Sequence, residues 1–137
     1  ALRLVRRRGE LMAATHQGGM AAIIGIDEEA LEAVCAEASG AGAPVVIANY
    51  NSPGQFVISG ASAAIERANA LAKAHGAKRA LPLKVSAAFH SPLMQAAADA
   101  LALAIAEAEV SDARLPVVSN VSAMPIRSAT DIRADEE

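Results

Sequence analysis

The sequence predicts an α+β fold, and three observations lead to this prediction. Runs of strand length alternate with longer runs in which apolar residues recur at helical spacing. Between residues 20 and 86 these runs follow the order strand, helix, strand, strand, helix, strand. Hydrophobic residues make up 53% of the 137 residues and aromatic residues only 2%, so the core is expected to pack helices on strands through small aliphatic side chains.

The first element is predicted to be a helix, residues 1–14, with Leu4, Val5, Leu11 and Met12 on one apolar stripe. The sequence starts without Met in what reads as the middle of this helix, and it stops equally abruptly. We therefore expect both ends to be cut from something longer.

The next elements are a turn at Thr15–Gly19, a short buried strand at Met20–Ile26, and a helix that Asp27 caps. The segment Gly40–Pro44 ends this helix. Its apolar positions follow a spacing of three, four and seven residues and are Leu31, Val34, Cys35 and Ala38.

Two strands, Val45–Tyr50 and Gln55–Gly60, flank the turn Asn51–Gly54 and should form a hairpin. In this turn we expect the side chains of Asn51 and Ser52 to bond the local backbone, while Pro fixes φ and Gly allows a positive φ.

A helix, Ala61–His75, is closed by Gly76, where a left-handed residue is needed. The following strand, Lys78–Ser86, contains Pro82, which favours a sheet edge or a bulge. The resulting β-α-β-β-α-β order is the split βαβ, ferredoxin-like pattern. A long helix, Pro92–Ala108, and a strand, Leu115–Ser122, complete the prediction.

Charge and composition exclude several classes of function. The net charge of −3 argues against binding to duplex nucleic acid, which needs a basic face. No run approaches the roughly 20 apolar residues that span a bilayer. The single cysteine, Cys35, rules out an internal disulfide, suits a reduced cytoplasm, and reads as an inert core thiol. His16, His75 and His90 lack metal-ligand spacing, and His75 reads as a helix-capping residue, so no metal site is expected.

His90 is the strongest candidate for chemistry. It follows the end of a strand, and Ser91 and Pro92 then start a helix as N-cap and first helical residue. A histidine at such a strand-to-helix junction lies at the rim of the fold rather than in its core, and it can act as a general base near neutral pH. A lone histidine is more often structural, however, and the 137 residues contain no G-x-S-x-G elbow that would supply a nucleophile.

Arg8 shares the apolar stripe of Leu4, Leu11 and Met12 on the first helix. A guanidinium on a buried face needs an anionic partner. The pattern leaves two interpretations open: a structural salt bridge or snorkelling side chain, and a bidentate receptor for a substrate carboxylate.

Five blocks together resemble the malonyl-CoA:acyl-carrier-protein transacylase family, in its order and at its spacing. They are RLVRRRGELM, GGMAAIIGI, NYNSPGQFVISG, GAKRALPLKVSAAFHSPLM and LPVVSNVSA. The resemblance implies a ping-pong transfer of malonyl from malonyl-CoA to an acyl carrier protein in fatty-acid synthesis. Malonyl-CoA would be a substrate, and no cofactor is implied.

The resemblance also implies roles for individual residues. His90 matches the histidine that accepts the proton of the nucleophilic serine, and Arg8 matches the arginine that pairs with the malonyl carboxylate. Asn51 matches a motif asparagine near the site and is expected to shape it by hydrogen bonding. Phe89 occupies the position where Phe accompanies malonyl and Ser accompanies methylmalonyl, because a phenyl ring fills the space that an α-methyl group needs.

The family's serine elbow has no counterpart in these residues. The resemblance therefore implies a helix from a large α/β-hydrolase-like subdomain (1–14), a ferredoxin-like small subdomain (15–86) and a further part of the large one (87–137). We expect such a chain alone to be unable to form an acyl-serine.

A different class of function stays open from the residues themselves. The chain could be a stand-alone ferredoxin-like module that docks an acidic carrier protein without catalysis, through a basic edge formed by Arg67, Lys73, Lys78 and Arg79. A solvated face is the simpler interpretation of these scattered charges. Repacking of the last helix and strand into a dimer is a third possibility.

Overall fold

The structure is a computed structural model that describes residues 2–15, 18–85 and 87–136. It is a mixed α/β fold, as the sequence predicts. The helices are Leu2–Ala14 (α1), Glu28–Ala38 (α2), Ser62–Ala74 (α3), Gln95–Ala106 (α4) and Ala129–Glu136 (α5). The strands are Gly19–Ile24 (β1), Val45–Ser52 (β2), Gln55–Gly60 (β3), Arg79–Pro82 (β4), Val117–Val118 (β5) and Pro125–Ile126 (β6).

The chain forms two compact units. One consists of Ala1–Leu11 together with Ala96–Glu137, and the other of Met12–Gln95. The described residues contain no helix with the length and apolar character needed to cross a bilayer.

The unit Met12–Gln95 is built on an antiparallel sheet with strand order β2-β3-β1-β4. β1 is central because its residues pair with β3 on one side and with β4 on the other. Alternate residues of β1 and β3 point to one face and enter the core together with α2 and α3. The buried residues from these four elements include Ala21, Ile23, Leu31, Val34, Cys35, Phe56, Ile58, Ile65 and Ala68.

The capping residues predicted for the two helices of this unit are confirmed. Oδ1 of Asp27 accepts a hydrogen bond of 2.8 Å from the amide of Ala30 and so satisfies a free donor at the start of α2. Gly76 follows α3 with a φ of 92°, a conformation that glycine adopts without steric cost.

The hairpin is confirmed, but its turn is shorter than predicted. β2 continues to Ser52, so Pro53 and Gly54 alone connect it to β3. Gly54 has a φ of 74°, as expected for glycine after proline in a tight turn. Asn51 is therefore a strand residue, and its assignment to the turn was wrong.

β4 is an edge strand, as Pro82 predicted, but it is shorter than expected. Pro82 lies opposite Ala21 of β1, and it has no amide to continue the ladder. The partner strand also starts at Gly19, so the register leaves little of β1 for residues after 82 to pair with. The predicted strand end, Ser86, lies outside the described residues.

The other unit differs most from prediction. Only Val117–Val118 of the expected strand at Leu115–Ser122 is extended, and it pairs with β6. The hydroxyl of Ser119 accepts hydrogen bonds from the amides of Val121 and Ser122, at 3.1 and 3.0 Å, and bends the chain there. These local bonds compete with a longer strand.

α5 was not predicted, although its start carries a recognisable signal. The hydroxyl of Ser128 donates to the carboxylate of Asp131 at 2.6 Å and accepts from the Asp131 amide at 3.0 Å. The bond from the Asp131 amide to the Ser128 hydroxyl is the N-cap half of the capping pattern of a serine followed three residues later by an acidic residue, whereas the Asp131 carboxylate here bonds the Ser128 hydroxyl.

Ser39 and Ser59 are two serines in contrasting environments. The Ser39 hydroxyl joins the end of α2 to the start of β2, because it lies 2.8 Å from the carbonyl oxygen of Cys35 and accepts from the amide of Val45 at 3.0 Å. The Ser59 hydroxyl is fully buried in β3 and has no hydrogen-bond partner among the described residues.

We predict opposite effects when each hydroxyl is removed. Ser39→Ala should lower the free energy of unfolding by about 1–3 kcal/mol, because the buried amide of Val45 loses its partner. Ser59→Ala should leave it unchanged or raise it by about 1 kcal/mol, because a buried, unbonded hydroxyl is removed. Urea titration of both variants measures the difference, and equal losses would contradict this account of the two hydroxyls.

Candidate active site

His90 lies in a turn between β4 and α4 and has a φ of 59°. A residue with a Cβ adopts this left-handed conformation rarely, at a cost of about 1–3 kcal/mol. The side chain is exposed and makes no hydrogen bond or ion pair with the residues that the structure describes. Both ring nitrogens can therefore contact a bound molecule.

The residue that follows holds this turn. The Ser91 hydroxyl donates a hydrogen bond of 2.7 Å to the carbonyl oxygen of Ala88, and it accepts one of 3.3 Å from the amide of Leu93. Ser91 is buried, with 8% of its surface exposed. Ser91 caps a short 3-10 helix, Pro92–Met94, that leads into α4, so its predicted role as N-cap, with Pro92 as the first helical residue, is confirmed.

Ala87 and Ala88 anchor the turn because both are fully buried. Gly18, just before β1, lies close to Ala88: a Cβ on Gly18 would be 2.7 Å from the Cβ of Ala88, and Gly18 has a φ of 90°. The amide of Leu83 donates to the carbonyl of Met20 at 2.8 Å, which keeps the chain after β4 against β1. The sheet thus supports the chain leading to His90.

Phe89 precedes His90 in the same turn and is half-buried. Asn51, which is expected to shape the site by hydrogen bonding, lies in β2, in the same compact unit, and is exposed. Tyr50 pairs with Phe56 and Ser52 with Gln55, so Asn51 is the extra residue of a β-bulge. Bulges of this kind often redirect side chains next to active sites.

The Asn51 and Ser52 side chains do not form the local hydrogen bonds that the sequence suggested. Within the described ranges neither makes a side-chain hydrogen bond. That expectation was wrong because these residues belong to the strand, and the turn is made by the two residues that follow.

Arg8 belongs to α1 and to the other compact unit. It is exposed, and no described residue of α1 is buried. On this helix Glu10 pairs with Arg6 and Arg7, at 2.8 and 3.9 Å, and Arg8 makes no ion pair with the described residues. The expectation that the apolar stripe of α1 is buried was therefore wrong, and a structural salt bridge of Arg8 is not observed among the described residues.

A shallow groove of about 480 Å³ lies beside the hairpin. Its lining residues are Asp27, Glu28, Tyr50, Ser52, Pro53, Gly54 and Phe56. It contains none of the four predicted site residues, so we do not assign it to the site.

The cysteine and the other histidines do not add to the site. Cys35 is buried in the core, and burial, followed by the charge of Glu32, raises the pKa of its thiol to about 11. Such a thiol is a poor nucleophile near neutral pH. His75 is the C-cap residue of α3, and His16 lies outside the described residues. The described part of the chain contains no group of three or more His, Cys, Asp or Glu side chains that could hold a metal ion.

Sequence reasoning identified His90 but missed how it is held. Neither the left-handed conformation of His90 nor the hydrogen bond from Ser91 to Ala88 has a clear sequence signal. Histidine is enriched in that conformation, but most histidines do not adopt it. The close approach of Gly18 to Ala88 could have been suspected only from the pair of glycines at the start of β1, Gly18 and Gly19.

An exposed histidine in a rigid strand-to-helix turn is compatible with group-transfer chemistry, and comparison with known proteins defines the class. The model of the family described as "Acyl transferase domain" matches residues 1–136. The chain belongs to this family.

Proteins similar to this chain include the malonyl CoA-acyl carrier protein transacylases of Bacillus subtilis and Salmonella typhimurium. The first is 46% identical over 136 residues and the second 47% over 137, covering 97% and 98% of this chain. Each alignment covers 43% of the relative, so the chain spans less than half the length of these proteins.

Solved structures give the same result. The acyl carrier protein S-malonyltransferase of Vibrio cholerae superposes with a TM-score of 0.82 at 44% identity, over 98% of this chain and 44% of that one. A complex of a type II PKS acyl-carrier protein with its malonyl-transacylase matches with a TM-score of 0.83, also at 44% identity and over the same shares.

The strain at His90 leads to a prediction about stability. His90→Gly should have a free energy of unfolding about 1 kcal/mol higher than His90→Ala, because glycine adopts a positive φ without the clash of a Cβ. Urea titration of the two variants measures this difference.

Two further substitutions serve as controls. Ala123, with a φ of 56°, should also gain stability when replaced by glycine. Ala98, an exposed residue within α4, should lose about 1 kcal/mol on the same replacement. If His90→Gly and Ala98→Gly lose equal stability, His90 is not held in the left-handed conformation.

The buried thiol predicts a loss of stability at alkaline pH. The pKa of Cys35 is 9.0 in an exposed reference state and about 11 in the folded chain, so the unfolded chain loses this proton first. The contribution of the protonated thiol to the free energy of unfolding is therefore complete below pH 9 and is lost as the pH rises towards 11. Urea titration of the parent and Cys35→Ala from neutral to alkaline pH should show a steeper fall for the parent; parallel curves would contradict the raised pKa.

Proposed function

We propose that this chain supplies the histidine and the carboxylate-binding arginine of a malonyl-CoA:acyl-carrier-protein S-malonyltransferase. The observation that carries the proposal is His90, an exposed imidazole fixed in a strained turn. Strain of this kind concentrates at functional sites, where the surrounding structure compensates for it. The similarity to named transacylases over nearly the whole chain supports the same assignment.

In the first half-reaction His90 acts as general base on a serine hydroxyl. The serine oxygen attacks the thioester carbonyl of malonyl-CoA, a new C–O bond forms, the C–S bond breaks, and the proton held by His90 passes to the leaving sulfur of CoA. No G-x-S-x-G elbow occurs in the 137 residues, so the serine is proposed to come from polypeptide outside them.

In the second half-reaction the phosphopantetheine thiol of an acyl carrier protein gives its proton to His90. Its sulfur attacks the malonyl ester, the C–O bond breaks, and His90 returns the proton to the serine. One imidazole thus serves as base and acid in alternation, which suits a side chain whose ordinary pKa lies close to neutrality. The related complex of an acyl-carrier protein with its malonyl-transacylase supports this choice of partner.

Arg8 is proposed to bind the free carboxylate of the malonyl group. Its guanidinium is exposed and makes no ion pair within the described residues, whereas its neighbours Arg6 and Arg7 are engaged by Glu10. A planar guanidinium can donate two parallel hydrogen bonds to one carboxylate.

Two further residues are proposed to shape the site. Phe89 would fill the space beside the α-carbon of the malonyl group, since its half-buried side chain directly precedes His90. Asn51 would contribute a hydrogen bond, since its exposed side chain has no partner in the described residues.

We further propose that residues 15–86 form a ferredoxin-like small subdomain. The antiparallel order β2-β3-β1-β4, with two helices in the β-α-β-β-α-β connection, supports this assignment. Residues 1–14 and 87–137 are proposed to be parts of a larger, α/β-hydrolase-like subdomain.

A carrier-binding module without catalysis is the weaker candidate. Arg67, one of its four proposed basic residues, donates two hydrogen bonds to the Ala38 carbonyl, at 3.0 and 2.6 Å. The Arg67 guanidinium therefore binds the free carbonyl at the C-terminal end of α2, which is a structural role within the fold. No corresponding observation favours docking over catalysis.

The experiment that tests the proposal is a chimera. In the transacylase of Bacillus subtilis, the segment aligned with this chain is replaced by residues 1–136 of this chain, and malonyl transfer to acyl carrier protein is measured. We expect transfer by the chimera and none by the 137-residue chain alone. A folded but inactive chimera, or acylation of a defined side chain in the isolated chain, would overturn the proposal.

The carboxylate role predicts a change in selectivity. In the chimera, Arg8→Ala should lower kcat/KM for malonyl-CoA by about 10- to 100-fold, because a charge-assisted interaction is worth about 1.5–3 kcal/mol. Transfer of acetyl, which lacks the carboxylate, should change little. Arg6→Ala is the matched control on the same helix and should alter neither rate, whereas equal losses for malonyl and acetyl in Arg8→Ala would exclude carboxylate binding.

The steric role of Phe89 predicts a second change in selectivity. Phe89→Ser in the chimera should raise the ratio of methylmalonyl to malonyl transfer by about 10-fold or more, because a methyl-sized clash is worth about 1–3 kcal/mol. Competition between the two CoA esters measures this ratio. An unchanged ratio in an active variant would show that the Phe89 side chain does not exclude the α-methyl group of methylmalonyl.

A further inference from the structure

Ser91 makes hydrogen bonds that the proposed reaction does not itself require. It makes no proposed contact with malonyl-CoA, its side chain is buried, and its hydroxyl points back into the chain, to Ala88. A helix cap alone needs only the hydrogen bond that Ser91 accepts from Leu93. The additional bond to Ala88 therefore calls for a separate explanation.

The bond between Ser91 and Ala88 closes a ring of atoms that contains the backbone of Phe89 and His90. Its length is 2.7 Å, and one end is fixed because Ala88 is fully buried. The other end is fixed by the amide of Leu93 at the start of the next helical turn. The backbone dihedrals of the two enclosed residues are thus limited from both sides.

This ring explains how His90 keeps its unfavourable conformation. The imidazole makes no bond of its own within the described residues, so the side chain does not hold the backbone at a φ of 59°. Without the Ser91 hydroxyl, the turn could relax towards a negative φ, which is favoured by about 1–2 kcal/mol for a residue with a Cβ. The imidazole would then project in a different direction.

We propose that Ser91 is a positioning residue, whose hydroxyl orients His90 for proton transfer through its bond to Ala88. The inference rests on the proposed function of His90 and deepens it. Ser91 acts by limiting where the imidazole can point, and it takes no part in binding malonyl-CoA.

The test is single-turnover acylation of the chimera, followed as CoA release over a range of malonyl-CoA concentrations. Ser91→Ala should lower the limiting rate by about 10- to 100-fold, as expected when a catalytic group is displaced by about 1 Å. The concentration that gives half of this rate should stay unchanged, because substrate binding is not altered. A limiting rate equal to the parent's would overturn the inference.

Ser39→Ala is the matched structural control. Like Ser91, Ser39 joins a helix end to a neighbouring segment, through a backbone carbonyl and a backbone amide. Its loss should lower stability with no change in the limiting rate. If Ser39→Ala lowers the limiting rate as much as Ser91→Ala, the effect of Ser91 is a general loss of stability and the inference is wrong.

Conservative variants keep the test decisive if Ser91→Ala does not fold. Ser91→Thr retains the hydroxyl, and the backbone of Ser91, with φ −118° and ψ 164°, is extended and suits a β-branched residue, so we expect the rate to be restored. Ser91→Cys keeps the shape but offers only a weak hydrogen bond, so its rate should be intermediate. Parental activity in Ser91→Cys would contradict the inference.

His90→Ala separates this inference from the function on which it rests. If His90→Ala abolishes acylation while Ser91→Ala does not affect it, the function stands and the positioning role fails. If His90→Ala acylates as fast as the parent chimera, the proposed function itself fails.

Discussion

The hydrogen bond from the Ser91 hydroxyl to the carbonyl of Ala88 is the contact on which the candidate site depends. It has an ordinary length of 2.7 Å, it is buried, and it encloses the two residues that we assign to chemistry and selectivity. Phe89 and His90 form a turn with no regular secondary structure of its own. Without such a bond, an exposed imidazole here would sample many directions, and proton transfer requires one of them.

The sheet supports this turn by holding the chain that leads into it. β4 is short and lies at the sheet edge, so the chain leaves the ladder after Pro82. Buried Ala88 then lies against Gly18, where no larger residue would fit. The rigid part of the fold therefore extends to within two residues of His90, and the exposed imidazole is attached to a well-packed support.

The sequence predicted the elements that depend on local patterns. Asp27 and Gly76 mark helix ends by side-chain and backbone chemistry, and Pro82 marks a sheet edge, so these features could be recognised residue by residue. Strand lengths could not be predicted as well, because they depend on how far the neighbouring strand of the sheet runs alongside. The run at Leu115–Ser122 is apolar enough for a strand, yet the Ser119 hydroxyl bends it after Val118.

The candidate site was predicted in part, for the same reason. His90 could be singled out because its neighbours Ser91 and Pro92 are residue types typical of the start of a helix. Arg8 was expected on a buried face, but periodicity cannot tell how well a stripe is covered, and the helix leaves Arg8 exposed. The left-handed conformation of His90 occurs within a turn that a bond between the Ser91 hydroxyl and the Ala88 carbonyl encloses, and no spacing of residue types encodes such a bond.

The central claim is that the imidazole of His90 transfers the proton in acyl transfer, and chemical rescue tests it most directly. Replacing His90 by glycine in the chimera removes the imidazole at a position where the backbone suits glycine. Since the site is exposed, added imidazole can reach it. We predict that malonyl transfer is lost in His90→Gly and rises with the concentration of imidazole, while the parent chimera does not respond. Transfer by His90→Gly at the parental rate without imidazole would contradict the claim.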